Sequence, residues 1–148
     1  MTNSKPQNDL TWMLDDLVMV PDVVYAVVLS ADGLVIQKST SLPQDKGELL
    51  AAGASSLHSV AAGVGRRFES GPVQQVIVEY LGQTLFIAAA GNNARLAVLC
   101  EQSVDMGTVA YEMSRLVTRI GEYLSSEARS APPSANAASG NGQYGSRL

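Results

Sequence analysis

Apolar residues recur along this chain at two periods, and the change from one to the other divides it into eight segments. From about Asp9 to Val20, Leu10, Met13, Leu14, Leu17 and Val18 follow the spacing of one buried helical face, and Asp9 stands where a cap belongs. Pro21-Asp22 ends that helix. VVYAVVLS (23–30) is a β-branched run that predicts a strand buried on both faces. Ala31-Asp32-Gly33 predicts a tight turn, and LVIQKS (34–39) the returning strand of a hairpin. A loop from Thr40 to Gly47 leads to LLAAGASSLHSVAAGVG (49–65), a helical segment that Phe68 to Pro72 terminates. VQQVIVEYL (73–81), TLFIAAA (84–90) and RLAVLCE (95–101), joined by Gly82-Gln83 and Gly91-Asn92-Asn93, predict an antiparallel meander. A last helix from about Asp105 to Leu124 sets Met106, Val109, Met113, Leu116, Val117 and Ile120 on one stripe, with Glu112, Arg115, Arg119 and Glu122 opposite.

The order helix, two strands, helix, three strands, helix predicts an α/β sandwich of the α+β kind. Five antiparallel strands form one sheet, with one helix on one face and two on the other. Covering both faces accounts for the continuous apolar runs around Val27 and Val98. Residues 1–8 are polar and predict a loose N-terminus, 9–125 the domain, and 126–148, rich in Ser, Ala, Pro, Gly and Asn, a disordered tail.

The middle helix is the segment that asks for a partner. Between Glu48 and Arg66 it contains no charged residue. Leu50, Gly53, Leu57, Val60, Ala61, Val64 and Phe68 share a stripe that reads as the core face, with Leu49 at its edge. The opposite side carries Ala51, Ser55, His58, Ser59 and Ala62 where a solvated helix would carry Lys and Glu. Such a helix is expected to pack against protein twice, once on its own sheet and once against a neighbouring helix. On the first helix, Trp12 and Met19 lie seven residues apart on the far side. They form either a second docking patch or a surface covered by the tail or a loop.

Composition narrows the classes. The 148 residues, 46% hydrophobic and 16% charged, suit one globular domain with a core of its own. A net charge of −4 argues against nucleic acid and against an anionic membrane surface as partners. Residues 49–65 are too short and too rich in Ser, Gly and His to span a bilayer, and MTNSKPQND has no apolar signal region, so a cytoplasmic protein without stable membrane insertion is expected. The inventory for catalysis is thin. His58 is the only histidine and Cys100 the only cysteine, neither at a metal-ligand spacing; a packed or interface histidine and a buried thiol are the expected roles. Gly63-Val64-Gly65 lies inside a helix pattern and lacks the lysine of a phosphate loop. Glu79 and Glu101 fall on different strands with nothing to mark them as an acid–base pair. No enzyme, cofactor or metal is expected.

Three stretches taken together resemble a known family. YAVVLSADGLVIQKS (25–39), the small-residue helix after it, and VAYEMSRLVTRIGEYL (109–124) are similar to the Roadblock/LC7 family, most closely to its actinobacterial branch, encoded beside Ras-like small GTPases. The resemblance spans about residues 9 to 125 and implies the same α-β-β-α-β-β-β-α sandwich. It also implies a homodimer in which the middle helix pairs with its symmetry mate and the third strand pairs edge to edge. That assigns Ala51, Ser55, His58, Ser59 and Ala62 to a helix–helix contact, and Pro72 to Tyr80, including Val73, Gln75 and Ile77, to the edge strand. The implied function is a non-catalytic dimeric regulator or scaffold of a Ras-like small GTPase, activating or localising it, with other signalling proteins encoded nearby as further partners. Arg66 and Arg67 then sit favourably at the negative end of the helix rather than acting as an arginine finger. The alternative is a small-molecule-sensing domain of signal transduction, which needs a pocket lined by convergent polar groups.

Overall fold

The computed structural model describes residues 6–130, with side chains from Leu10 to Arg129. The elements are α1 (Pro6–Val18), β1 (Val23–Ser30), β2 (Val35–Lys38), α2 (Gln44–Arg67), β3 (Val76–Glu79), β4 (Gln83–Ala89), β5 (Ala94–Glu101) and α3 (Met106–Ser130). All strand pairs are antiparallel, and the sheet order is β2-β1-β5-β4-β3. α1 and α3 cover one face of the sheet and α2 the other.

Because side chains alternate along a strand, each central strand feeds two cores. β1 gives Ala26 and Val28 to the α1/α3 side, and Val27 and Leu29 to the α2 side. β4 does the same with Phe86 and Ala88 against Leu85 and Ile87. The first core is closed by Leu10, Leu14 and Leu17 from α1 and by Val109, Met113, Leu116 and Ile120 from α3. The turn after α1 is tied to the end of β5 and the segment before α3, where the Glu101 amide donates to the Asp22 carbonyl (2.8 Å) and Ser103 Oγ donates to the Asp22 carboxylate (3.0 Å).

Glycine is required at one turn for two reasons. Gly33 in the β1–β2 hairpin has φ +89°, and a Cβ there would lie 3.3 Å from the Cβ of Ser55 on α2. The hairpin is thereby pressed against the middle of α2, where Ser55 Oγ donates to the carbonyl of Ala31 (2.9 Å).

Several boundaries differ from those the sequence predicts. α2 begins at Gln44, after Pro43, rather than at Leu49. Its first turn is polar and contains Gly47, so hydrophobic periodicity is silent there, yet Gly47 is buried against Lys38 and Leu42. β3 is shorter than the 73–81 run. α1 begins at Pro6 and α3 continues to Ser130, so residues 6–8 and 126–130 are helical rather than loose. The rest of the expected flexible ends, 1–5 and 131–148, lies outside the described residues.

Ala54 is wholly buried beneath α2. Replacing it with Leu forces extra volume into that contact and is expected to destabilise the protein by about 1–3 kcal/mol. The check is a lower urea midpoint at unchanged slope.

Candidate interaction surface

The underside of α2 is built from Gly47, Ala51, Ala54 and His58. On the sheet beneath it, Val27, Leu29, Leu85 and Ile87 already fill the surface, leaving room only for a helix with almost no side chain on that side. Leu50 alone of the large apolar residues of α2 packs half-buried against that core, and the others face outward. Val60 is 67% and Phe68 77% exposed, and Leu49, Leu57 and Val64 are exposed with them. This reverses the expected faces. Ala51 (0% exposed) and His58 (6%) belong to the protein's own sheet contact, not to a free surface for a partner helix. Of the stripe read as core, Leu57, Val60, Val64 and Phe68 are left open, while Leu50 packs against the sheet as expected.

The remaining predicted residues are divided. Ser55 is half-buried against the β1–β2 turn, Ser59 is exposed, and Ala62 is half-buried beside Pro72 and Val73, where they line a small hollow. Val73 and Gln75 are half-buried in the segment that enters β3. Val76 and Val78 pack toward α2, whereas Ile77 stays exposed. Trp12 and Met19 are both exposed on α1 and the turn that follows it.

The two sheet edges are unequal. β2 is tied to α1, where Thr11 Oγ1 donates to Gln37 Oε1 (2.7 Å) and the backbone and hydroxyl of Thr40 donate to the Asp15 carboxylate (2.7 Å each). Among the described residues β3 pairs with β4 alone, which leaves one side of its backbone open to a further strand. That open edge lies on the same flank as the C-terminal half of α2, whose last turn carries Arg66 and Arg67. With Val60, Gly63, Val64 and Phe68 the two arginines bound a surface hollow of about 800 Å³. Asp45 and Glu48 stand at the other end of the helix.

His58 has a partner that the sequence did not single out. Arg95, near the start of β5, donates from Nε to His58 Nδ1 at 3.0 Å and from Nη1 to the carbonyl of Ala94 at 3.2 Å. With Nδ1 accepting, the ring is neutral and carries its proton on Nε2, which is buried without a partner. An orphaned donor of this kind costs about 1–3 kcal/mol. Burial first, and then the charge of Arg95, hold His58 below its ordinary value of 6.5. Its one sequence signal was an arginine entering an otherwise apolar strand.

The other chemical candidates are far apart. Glu79 pairs with Thr84 and Glu101 with Gln83, so β4 separates the two acids. Gly63-Val64-Gly65 lies within α2. Cys100 is buried in the α1/α3 core, and its thiol is pushed up to about 12 by burial, with the charges of Asp22 and Glu101 adding to it. Among the described residues no cluster of three metal-ligating side chains occurs, and no helix is long and apolar enough to cross a membrane. A hollow of about 940 Å³ between α3 and the β4–β5 hairpin is open at the surface and borders the α1/α3 core at Ala90 and Ala94.

The Roadblock/LC7 domain family model matches residues 10–100. A crystal structure of a Roadblock/LC7 domain from Streptomyces avermitilis is 40% identical, covers 77% of this chain and 96% of its own, and superposes with a TM-score of 0.74. That match agrees with the actinobacterial branch of the family. At fold level the chain is also similar to the gliding protein MglB of Thermus thermophilus (14% identity, 83% of this chain and 93% of that one, TM-score 0.72). MglB of Myxococcus xanthus is comparable (13%, 80% and 96%, 0.73). A search of curated proteins finds no match.

Cys100 is expected to resist thiol reagents in the native protein at mildly alkaline pH, because it is buried and its thiolate lies far up the scale. One thiol per chain should appear only after unfolding in denaturant. Rapid native labelling would show that β5 opens where the fold has it closed.

Proposed function

The chain belongs to the Roadblock/LC7 family, and from that premise we propose that it is a homodimeric, non-catalytic regulator or scaffold that binds a Ras-like small GTPase in a bacterial signalling system. The family is one of regulatory domains linked to GTPase systems, with no catalytic machinery attributed to them. The observation that carries the reading is the outward apolar stripe of α2, Leu49 to Phe68, beside the open edge of β3. A monomer that exposes five large apolar residues along one helix retains a strong drive to bury them. A second copy fits on charge as well. In an antiparallel pairing of two α2 helices, Asp45 and Glu48 of each protomer approach Arg66 and Arg67 of the other. β3 meeting β3 would then satisfy the open backbone and join two sheets into one. The homodimer contact proposed here uses Leu49, Leu57, Val60, Val64 and Phe68, with Ser59, Ala62, Val73 and Gln75 at its flank. Ala51 and His58 lie beneath it.

The GTPase would dock on the dimer, and Trp12 and Met19, exposed on the opposite face of the sheet from α2, offer it a surface separate from the protomer contact. No group in the described residues is arranged for hydrolysis, so any effect on GTP turnover works through the GTPase's own residues.

Val60→Glu puts a charge on the stripe without touching either core. It is expected to weaken the dimer ~30-fold or more, the factor that corresponds to the ~2 kcal/mol of an interface hot spot. Sedimentation velocity is the check, and an unchanged dimer would move the contact off α2. Mixing the protein with the Ras-like GTPase of its gene neighbourhood should give a co-eluting complex. Failure in both the GDP and GTP-analogue states would overturn the partner assignment.

A further inference from the structure

Beneath α2 the contact surface has almost no relief. Gly47, Ala51 and Ala54 hold the helix close to the strands, but methyl groups and hydrogens do not interlock it against rotation or sliding. Among the described residues, two side-chain hydrogen bonds tie α2 to the rest of the domain. One is exposed, from Ser55 Oγ to the Ala31 carbonyl; the other is the contact between Arg95 Nε and His58 Nδ1. The second sits one turn after Ala54, where the helix heads toward its exposed C-terminal half.

We propose that His58 and Arg95 form an acid-released latch. Neutral His58 fixes the middle of α2 on β5, and protonation of its ring frees the C-terminal half of the helix, which carries Val60, Val64 and Phe68. The bond depends on the lone pair of Nδ1. A proton taken from solvent onto that nitrogen consumes the lone pair, turns the acceptor into a donor facing another donor, and places two cations in contact. Among the described residues no acid is found acting on the ring to hold an imidazolium. On α2 itself the neighbours are Ala54, Ser55, Ala61 and Ala62, and the sheet below supplies apolar residues such as Leu29 and Ile87. Asp32 lies in the turn that meets α2 at Ser55, and Lys38 of β2 meets it at Gly47, three turns before His58. Arg95 is the charged group that acts on the ring.

The direction of the effect follows from linkage. The fold holds His58 below its ordinary value of 6.5, so the latch contributes fully above that value and is lost as the pH falls through the lower native one. The consequence for docking rests on the homodimer reading above; the latch itself does not.

Amide exchange on the full chain, corrected for intrinsic exchange rates, tests both levels. Between about pH 7.5 and pH 5, residues 55–67 should lose about ten-fold or more in protection while β1 and β5 keep theirs. His58→Asn offers an oxygen near the place of Nδ1 and does not titrate, so its profile should be flat. Arg95→Met, which keeps the aliphatic stem, should leave the same segment loose at both pH values. A wild-type profile that is flat, or one that His58→Asn reproduces, overturns the latch. Sedimentation of the same samples should show the wild-type dimer weakening over the same pH range. If the exchange result holds while the protein is monomeric throughout, the latch stands and the dimer reading falls. If a pH-dependent dimer persists in His58→Asn, the latch is not its cause.

Discussion

The close approach of α2 to the sheet is the constraint from which the rest of this structure follows. A helix bedded through Gly47, Ala51 and Ala54 brings its backbone near the strands and leaves no space beneath it for Leu or Phe. Apart from Leu50 at its margin, its larger apolar residues then turn outward. Close packing on one side of the helix and exposed apolar surface on the other are one fact seen from two sides. The hydrogen bond from Arg95 to His58 belongs to the same arrangement, since a flat contact needs a directional bond to set its register.

The domain is also asymmetric across its sheet. The α1/α3 side is closed by long interlocking residues, with Leu10, Leu14, Met113 and Ile120 all buried. The α2 side has a thinner core formed mostly by the strands themselves. The two edges differ in the same sense, because α1 side chains tie down β2 and nothing among the described residues covers β3. Stability is thus concentrated on one face and one edge, while the other face and the other edge stay open among the described residues. The proposed homodimer would use that open side and leave the α1/α3 side to a third protein.

Little in the chemistry competes with this reading. The single cysteine is sealed in the better-packed core, the single histidine is neutral under a helix, and the two strand acids are kept apart by β4. The family comparison and the geometry point the same way from different information, one from sequence and shape, the other from exposed surface and open backbone.

The order of elements, the antiparallel meander, the split of one helix against two, and the family were all legible in the chain. Each rests on local signals: β-branched runs, the Asp32-Gly33 turn, and helical stripes such as Leu10, Leu14 and Leu17. That α2 has no face suited to water was legible too, because no charge stands between Glu48 and Arg66. Which of its faces packs on the sheet was not. Periodicity groups Leu57, Val60, Val64 and Phe68 together but does not say which way they point; the usual rule sends the more apolar face inward. Here the decision belonged to the space left above Val27, Leu29 and Ile87, which only the packed sheet defines, and Arg95 reached His58 across thirty-seven residues for the same reason. Sequence by itself determined the elements and the presence of two faces on α2; tertiary packing decided which face was core, because the volume available under a helix is a property of the strands beneath it.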